Sequence, residues 1–149
     1  MHENRFTLRS AAYLLLFRNK KILLLKRKNT GWMDGHYSLP AGHLDGGETI
    51  AQTMSREAKE EIGITIEPEN LNVVHVMHRK SNVEYIDFFL TTDTDANAWH
   101  GEPFNNEPEK CEELVWFSIN ELPKNTLPHV RQAIINYQKQ VYFSEDNFE

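Results

Sequence analysis

The sequence predicts an α/β fold in which a mixed β-sheet is flanked by helices. Apolar runs of strand length, separated by polar turns, recur at residues 5–39 and again at 72–92. Two longer segments, residues 48–63 and 126–141, carry apolar side chains at helical spacing. The chain has 149 residues, of which 40% are hydrophobic, so one domain spanning residues 1–149 can bury a substantial core.

The first strands are expected to form a β-hairpin. Residues 5–17 and 21–27 are rich in apolar side chains, and the polar turn at residues 18–20 separates them. Residues 37–39 have the pattern of a further short strand, which Pro40 stops because it lacks a main-chain N–H.

A loop at residues 42–47 leads into the first helix. Glu48 or Thr49 is expected to open this helix and Gly63 to end it. Its apolar side chains recur at helical spacing and predict one core-facing stripe. The stripe consists of Ile50, Ala51, Met54, Ala58 and Ile62.

The second half of the chain returns to strand patterns. Residues 72–80 and 84–92 are expected to pair around the polar turn at Ser81 and Asn82, and residues 114–117 to form another strand. The long loop between them, residues 93–113, is open to two interpretations. It is either a disordered excursion or, given its aromatic side chains, a packed segment or a substrate-facing lid.

A final amphipathic helix is expected near the C-terminus. Thr126 and Pro128 provide a start signal, and the apolar pattern continues to about Val141. The tail from Ser144 is acidic, and we expect it to be frayed.

Charge and cysteine content narrow the class of protein. The net charge of −6 argues against a general duplex nucleic-acid-binding protein, which carries a basic face, so no nucleic-acid polymer is expected as a partner. The single Cys111 excludes an internal disulfide framework and is compatible with a reducing compartment. No signal peptide or membrane span is recognisable. We expect a cytoplasmic protein that does not bind membranes, and the composition leaves open whether it forms a homodimer.

Three glutamates on the first helix are the strongest sign of chemistry. Residues three and four apart are neighbours on a helix, so Glu57, Glu60 and Glu61 lie on one side and repel one another by a few tenths of a kcal/mol per pair. A hard cation such as Mg²⁺ or Mn²⁺ would reverse that sign. The alternative is a solvated acidic helix face.

The residues around these glutamates resemble the signature of the Nudix (MutT-like) hydrolases. That signature reads Gly, five residues, Glu, seven residues, Arg-Glu, an aliphatic residue, any residue, Glu-Glu, any residue, Gly and an aliphatic residue. It is matched by Gly42, Glu48, Arg56, Glu57, Ala58, Glu60, Glu61, Gly63 and Ile64. At a usage of about 5 to 7% per residue type, the fixed letters match a random start with a probability on the order of 10⁻⁸ or less. The resemblance implies an α/β/α sandwich with a mixed sheet.

The resemblance also implies a metal site. Glu57, Glu60 and Glu61 would hold Mg²⁺ together with the main-chain carbonyl of Ala41, a position where many members carry glycine. One of the glutamates would also activate water, and coupled carboxylates do not reveal which. Arg56 would orient the glutamates.

An acid outside the motif contributes in many members of the family. Glu112 and Glu113 precede the late strand and are candidates, and we assign Glu113 to the metal set. The alternative is that both are charges that keep a strand edge soluble.

Two residues before the motif are expected to contact substrate. Arg27 stands where members often place a phosphate-binding arginine, and its guanidinium can bind two oxygens at once. Trp32 is a candidate for stacking on a base, although a tryptophan in such a loop also suits packing.

The predicted function is Mg²⁺-dependent hydrolysis of a nucleoside diphosphate linked to a further group, foremost a nucleoside triphosphate, including oxidised ones such as 8-oxo-dGTP. The products would be a monophosphate and pyrophosphate. Where ADP-ribose hydrolases of the family often carry proline beyond the motif, this chain has Arg79, and the SQPWPFPxS motif of NADH hydrolases is absent. The alternatives are a hydrolase of ADP-ribose or nucleotide sugars, a non-catalytic nucleotide-binding module, or an isomerase of isoprenoid diphosphates.

Overall fold

The computed structural model describes residues 4–92 and 98–148, which form two β-sheets, two α-helices and a short 3-10 helix, Pro68–Asn70. The strands of the larger sheet are β1 (Arg9–Leu15), β5 (Ala41–His43), β6 (Leu71–Lys80), β7 (Glu84–Thr92) and β9 (Phe143–Asp146). Their order is β5-β1-β7-β6-β9. Strand β1 runs parallel to β7 and antiparallel to β5, so the predicted mixed sheet is confirmed.

The smaller sheet is centred on one strand. Its members are β2 (Phe17–Arg18), β3 (Lys21–Arg27), β4 (Tyr37–Ser38) and β8 (Cys111–Ser118). Strand β3 pairs antiparallel with each of the other three. The prediction of β3 is confirmed at both of its ends, and β8 is longer than predicted.

The predicted hairpin is wrong for most of its length. The run at residues 5–17 divides at Leu16, because β1 belongs to the larger sheet whereas only β2 pairs with β3. Leu14, Leu15 and Leu16 are all fully buried, so the apolar pattern gives no sign of the point at which the chain changes sheets.

The helix α1 (Ile50–Ile62) confirms the predicted start and end. Thr49 is the N-cap, and its hydroxyl and the Gln52 side chain form a reciprocal capping box. Gly63 ends the helix in the left-handed conformation, with φ of 72°. The second helix, α2 (Pro128–Gln138), begins at the predicted Pro128, with Leu127 at the N-cap in place of Thr126, and it ends before Val141.

Alternate side chains of β1 place the helices on opposite faces of the larger sheet. Ala12 and Leu14 pack in one cluster with Met54 of α1, whereas Tyr13 and Leu15 pack in the other with Ile134 of α2. The α/β/α arrangement is thus confirmed.

Two short strands depart from the predictions. Strand β5 includes Gly42, which was expected in a loop, and β9 includes the tail expected to fray. Strand β9 runs parallel to β6 and is held by the buried His75, whose ring nitrogens lie 2.7 Å from the Val141 oxygen and 2.9 Å from Ser144 Oγ. This pairing joins segments distant in sequence, which a local pattern does not report.

Part of the loop predicted at 93–113 falls at residues 93–97, outside the described residues. Of its aromatic residues, Trp99 packs against the α1 core cluster, whereas Phe104 is 53% exposed. Among the helices described, none has the length and hydropathy needed to cross a membrane.

Candidate active site

Arg56 lies at the centre of the acidic face of α1. Its Nε is 3.0 Å from Glu48 Oε2, and its Nη1 is 2.9 Å from Glu57 Oε1 and 3.3 Å from Glu60 Oε2. One guanidinium thus holds three carboxylates, a geometry that suits its planar set of N–H donors. The structure therefore brings Arg56 together with three glutamates of the motif, Glu48, Glu57 and Glu60.

Gly42 provides room for Glu57. A Cβ at position 42 would collide with Cδ, Cγ and Oε1 of the Glu57 side chain. The first glycine of the motif is therefore a point of close approach between β5 and α1.

Glu61 points towards the same strand. Its Oε1 accepts a hydrogen bond of 2.8 Å from the main-chain N–H of Ala41. Burial raises the pKa of this carboxyl to about 8, and the charges of Glu57, Glu107 and Glu60 add to the effect. Burial also raises the pKa of Glu57, although Arg56 opposes that shift.

Glu107 is an acidic residue at this site that sequence reasoning missed. Its charge raises the pKa of both Glu57 and Glu61. Its sequence context, between Asn106 and Pro108, has no pattern that marks it. Its place depends on how the loop before β8 packs against α1.

The two acids that the sequence singled out make other contacts. The phenol of Tyr37 donates a hydrogen bond to Glu113 Oε1. Glu112 pairs with Lys26, with Oε2 and Nζ 3.0 Å apart. Both carboxylates are exposed at the beginning of β8.

The donor chemistry of the site fits a hard divalent cation. Within residues 4–92 and 98–148, no three acidic, histidine or cysteine side chains converge as a chelating set, and Arg56 is paired with Glu57 and Glu60. The carboxyl groups nevertheless share one face of α1, and burial raises the pKa values of Glu57 and Glu61, with the negative charge of neighbouring acids adding to the shift. A cation that carboxylates can bind would offset that charge.

Arg27 and Trp32 are neighbours, as a shared substrate contact requires. The Arg27 guanidinium lies 5.0 Å from the Trp32 ring centroid, and its Nε donates a bond of 2.9 Å to the Trp32 main-chain oxygen. The indole is 47% exposed. His129, at the start of α2, stands 6.4 Å from the indole, centroid to centroid.

A buried polar group on the α2 side of the larger sheet adjoins Trp32 and His129. Tyr13 Oη lies 3.1 Å from His129 Nε2, and Arg79 Nε donates a bond of 2.7 Å to the buried Asp87. Burial lowers the pKa of His129 to about 3, helped by the charges of Arg79 and Arg27. The sequence alone did not group these residues, which come from separate strands and a helix.

Comparisons with known proteins match one domain family over most of the chain. The NUDIX domain model matches residues 7–137. The chain is 28% identical over 127 residues to the NAD-capped RNA hydrolase NudC of Stutzerimonas stutzeri (strain A1501), covering 81% of this chain and only 40% of that protein. It is 26% identical over 117 residues to the 8-oxo-dGTP diphosphatase of Escherichia coli (strain K12), covering 78% of this chain and 84% of that one.

A solved structure extends the likeness to the fold. The crystal structure of a MutT NUDIX hydrolase from Burkholderia pseudomallei matches with a TM-score of 0.77 and 27% identity, covering 87% of this chain and 98% of that chain. With the domain model spanning most of the sequence and relatives that are diphosphatases, the protein belongs to the Nudix family and is a Nudix hydrolase.

Proposed function

We propose that the protein is a Mg²⁺-dependent pyrophosphohydrolase that cleaves a nucleoside triphosphate, oxidised purine nucleotides included, into a monophosphate and pyrophosphate. The observation that carries this proposal is the placement of Glu57, Glu60 and Glu61 on one face of α1, where Glu61 is bonded to the Ala41 N–H and Arg56 is bonded to Glu57 and Glu60. Mn²⁺ is the expected substitute metal.

The candidate site residues have separate proposed roles in binding metal and substrate. Glu57, Glu60, Glu61 and the Ala41 carbonyl would hold Mg²⁺, which when bound supplies charge neutralisation at the phosphates and a more acidic water. Arg56 would keep the carboxylates oriented when substrate enters. Arg27 would contact phosphate oxygens, and Trp32, as the exposed aromatic beside it, would stack on the base.

Glu107 is our first choice for the acid outside the motif, ahead of Glu113. The charge of Glu107 acts on Glu57 and Glu61, whereas Glu113 is bonded to Tyr37. Glu107→Gln and Glu113→Gln form a matched pair, and we expect the larger fall in turnover from Glu107→Gln.

The names of the relatives support the type of bond that is cleaved more firmly than they support the identity of the base. One relative is named a diphosphatase of 8-oxo-dGTP, a name that describes cleavage at a phosphoric anhydride, and another is named a hydrolase of NAD-capped RNA. The chain covers most of the 8-oxo-dGTP diphosphatase but less than half of the NAD-capped RNA hydrolase. This difference favours a small nucleotide as the substrate.

The test is turnover of a substrate panel by the purified protein with Mg²⁺ or Mn²⁺. The panel contains canonical and oxidised nucleoside triphosphates, nucleotide sugars, ADP-ribose and NAD, and Glu60→Gln and Glu61→Gln serve as inactive controls. Triphosphate turnover that both substitutions abolish would support the proposal. Tight nucleotide binding without turnover of any substrate would instead favour a binding module.

A further inference from the structure

The C-terminal end of α1 is closed by a distant segment of the chain. The last four carbonyls of a helix have no partner within it, and in α1 these belong to Lys59, Glu60, Glu61 and Ile62. The Lys59 oxygen accepts a bond of 3.1 Å from the Gly63 N–H. The other three are bonded by residues 104–106, which precede β8.

Asn106 makes two of these bonds with different groups. Its main-chain N–H donates a bond of 3.1 Å to the main-chain oxygen of Glu61, and its side-chain amide donates a bond of 3.0 Å to the main-chain oxygen of Glu60. The Phe104 N–H donates to the Ile62 oxygen over 3.0 Å. The side-chain amide also donates a longer bond of 3.4 Å to the Lys59 main-chain oxygen. The two shorter bonds of Asn106 thus reach the carbonyls of two of the three motif glutamates.

Phe104 fixes the same segment by packing. Its ring lies against Gly63, where a Cβ would collide with the ring carbons. Gly63 is therefore required twice, for its φ of 72° and for the approach of this ring. These contacts fix the position of residues 104–106 on the C-terminal end of α1.

Glu107 follows directly and is held from both sides. Its main-chain N–H donates a bond of 3.2 Å to Asn105 Oδ1, and its main-chain oxygen accepts bonds of 2.9 Å from the N–H groups of Lys110 and Cys111. These bonds leave little freedom between Asn106 and the beginning of β8. A displacement of Asn106 would therefore shift Glu107 relative to Glu60 and Glu61.

We propose that Asn106 is a positioning residue, which holds Glu107 in register with Glu60 and Glu61 through its bonds to their main-chain oxygens. Its effect on turnover rests on the function proposed above, and its effect on the geometry of the acidic set does not. The role is distinct from ordinary helix capping. Glu60 and Glu61, whose carbonyls Asn106 binds, and Glu107, which follows Asn106, are acidic residues of one candidate site.

The test is a double-mutant cycle between Asn106→Ala and Glu107→Gln on the full chain, with Asn120→Ala on an exposed turn as control. Mn²⁺ alone is the first probe, with free Mn²⁺ measured by electron paramagnetic resonance. Turnover of a triphosphate substrate is the second. We expect Asn106→Ala to lower Mn²⁺ affinity and kcat by about 10-fold, as supporting residues of metal sites do, with KM little changed.

In the Glu107→Gln background the same substitution should have almost no further effect, because the positioned group is already lost. Equal effects in both backgrounds would show that Asn106 only stabilises the helix end, and would overturn the proposal. If Asn106→Ala fails to fold, Asn106→Leu has a similar size and removes the amide donor without adding a charge. A wild type without turnover refutes the proposed function while the Mn²⁺ cycle still decides this inference. A wild type that also does not bind Mn²⁺ overturns both.

Discussion

The main-chain N–H of Ala41 donates a hydrogen bond of 2.8 Å to Oε1 of Glu61. This bond ties β5 to the acidic face of α1 and holds a carboxylate whose pKa burial raises to about 8. Ala41 directly precedes Gly42, the first residue of the family motif, and Glu61 lies three residues before Ile64, the last. The bond therefore explains why the motif spans a strand, a loop and a helix.

Replacing Glu61 by glutamine separates folding from activity. Glu61→Gln keeps an oxygen for the Ala41 N–H and replaces a buried carboxyl, whose ionised form burial disfavours, by an amide that cannot ionise. We expect the melting temperature in EDTA to be unchanged or higher, and turnover to fall on the order of 100-fold because a metal ligand is lost. Glu109→Gln, on an exposed residue, should change neither. Retained turnover would remove Glu61 from the catalytic set.

The three-way contact of Arg56 requires a guanidinium. Arg56→Lys keeps the charge but replaces the planar donor set that reaches Glu48, Glu57 and Glu60. We expect kcat to fall by about 10-fold or more, measured by steady-state kinetics.

A matched control lies outside the motif. Arg18 is likewise bonded through two nitrogens to a carboxylate, Glu102, at 2.8 and 2.9 Å. Arg18→Lys should leave kcat unchanged. Equal losses in the two variants would mean that Arg56 acts through general stability alone.

Gly42 tests whether the position of Glu57 matters. Alanine at this position would collide with the Glu57 side chain, so we expect Gly42→Ala to reduce turnover by about 10-fold. Gly31→Ala is the contrasting variant, since Gly31 has φ of 84° and open space around it. That variant should cost about 1 kcal/mol of stability through backbone strain, without the loss in kcat. A fully active Gly42→Ala would show that Glu57 has other productive positions.

Because burial lowers the pKa of His129, we expect the protein to lose stability at acidic pH. Burial lowers its pKa from the usual 6.5 to about 3 in the folded protein. As the pH falls below 6.5, the unfolded state takes up the proton first, so this contribution to stability is present above pH 6.5 and is lost towards pH 3. The slope is at most about 1.4 kcal/mol per pH unit. Urea unfolding from pH 7 to 5 should therefore show a shallower decline in His129→Gln than in wild type. A parallel decline would contradict the buried neutral imidazole, and the exposed His100→Gln should follow wild type.

The sequence predicted α1 well because its signals are local. Thr49 caps the helix, Gly63 terminates it, and the acidic face follows from spacing within a few turns. The fold class followed from strand and helix patterns of the same kind. The division of the first strand at Leu16 did not, since a run buried on both faces has no alternation to read.

Glu107 and β9 escaped prediction for a different reason. Glu107 reaches the site only because residues 104–106 bond to the end of α1, and β9 forms only against β6. Both depend on contacts between segments distant in sequence, and neither segment has a distinctive pattern of its own.

The most direct test of the account is ³¹P nuclear magnetic resonance of the products formed from a nucleoside triphosphate with Mg²⁺. We predict resonances of a nucleoside monophosphate and pyrophosphate in equal amounts, and none of either with Glu60→Gln. A nucleoside diphosphate with inorganic phosphate, or an unchanged triphosphate after long incubation with Mg²⁺ and with Mn²⁺, would contradict it.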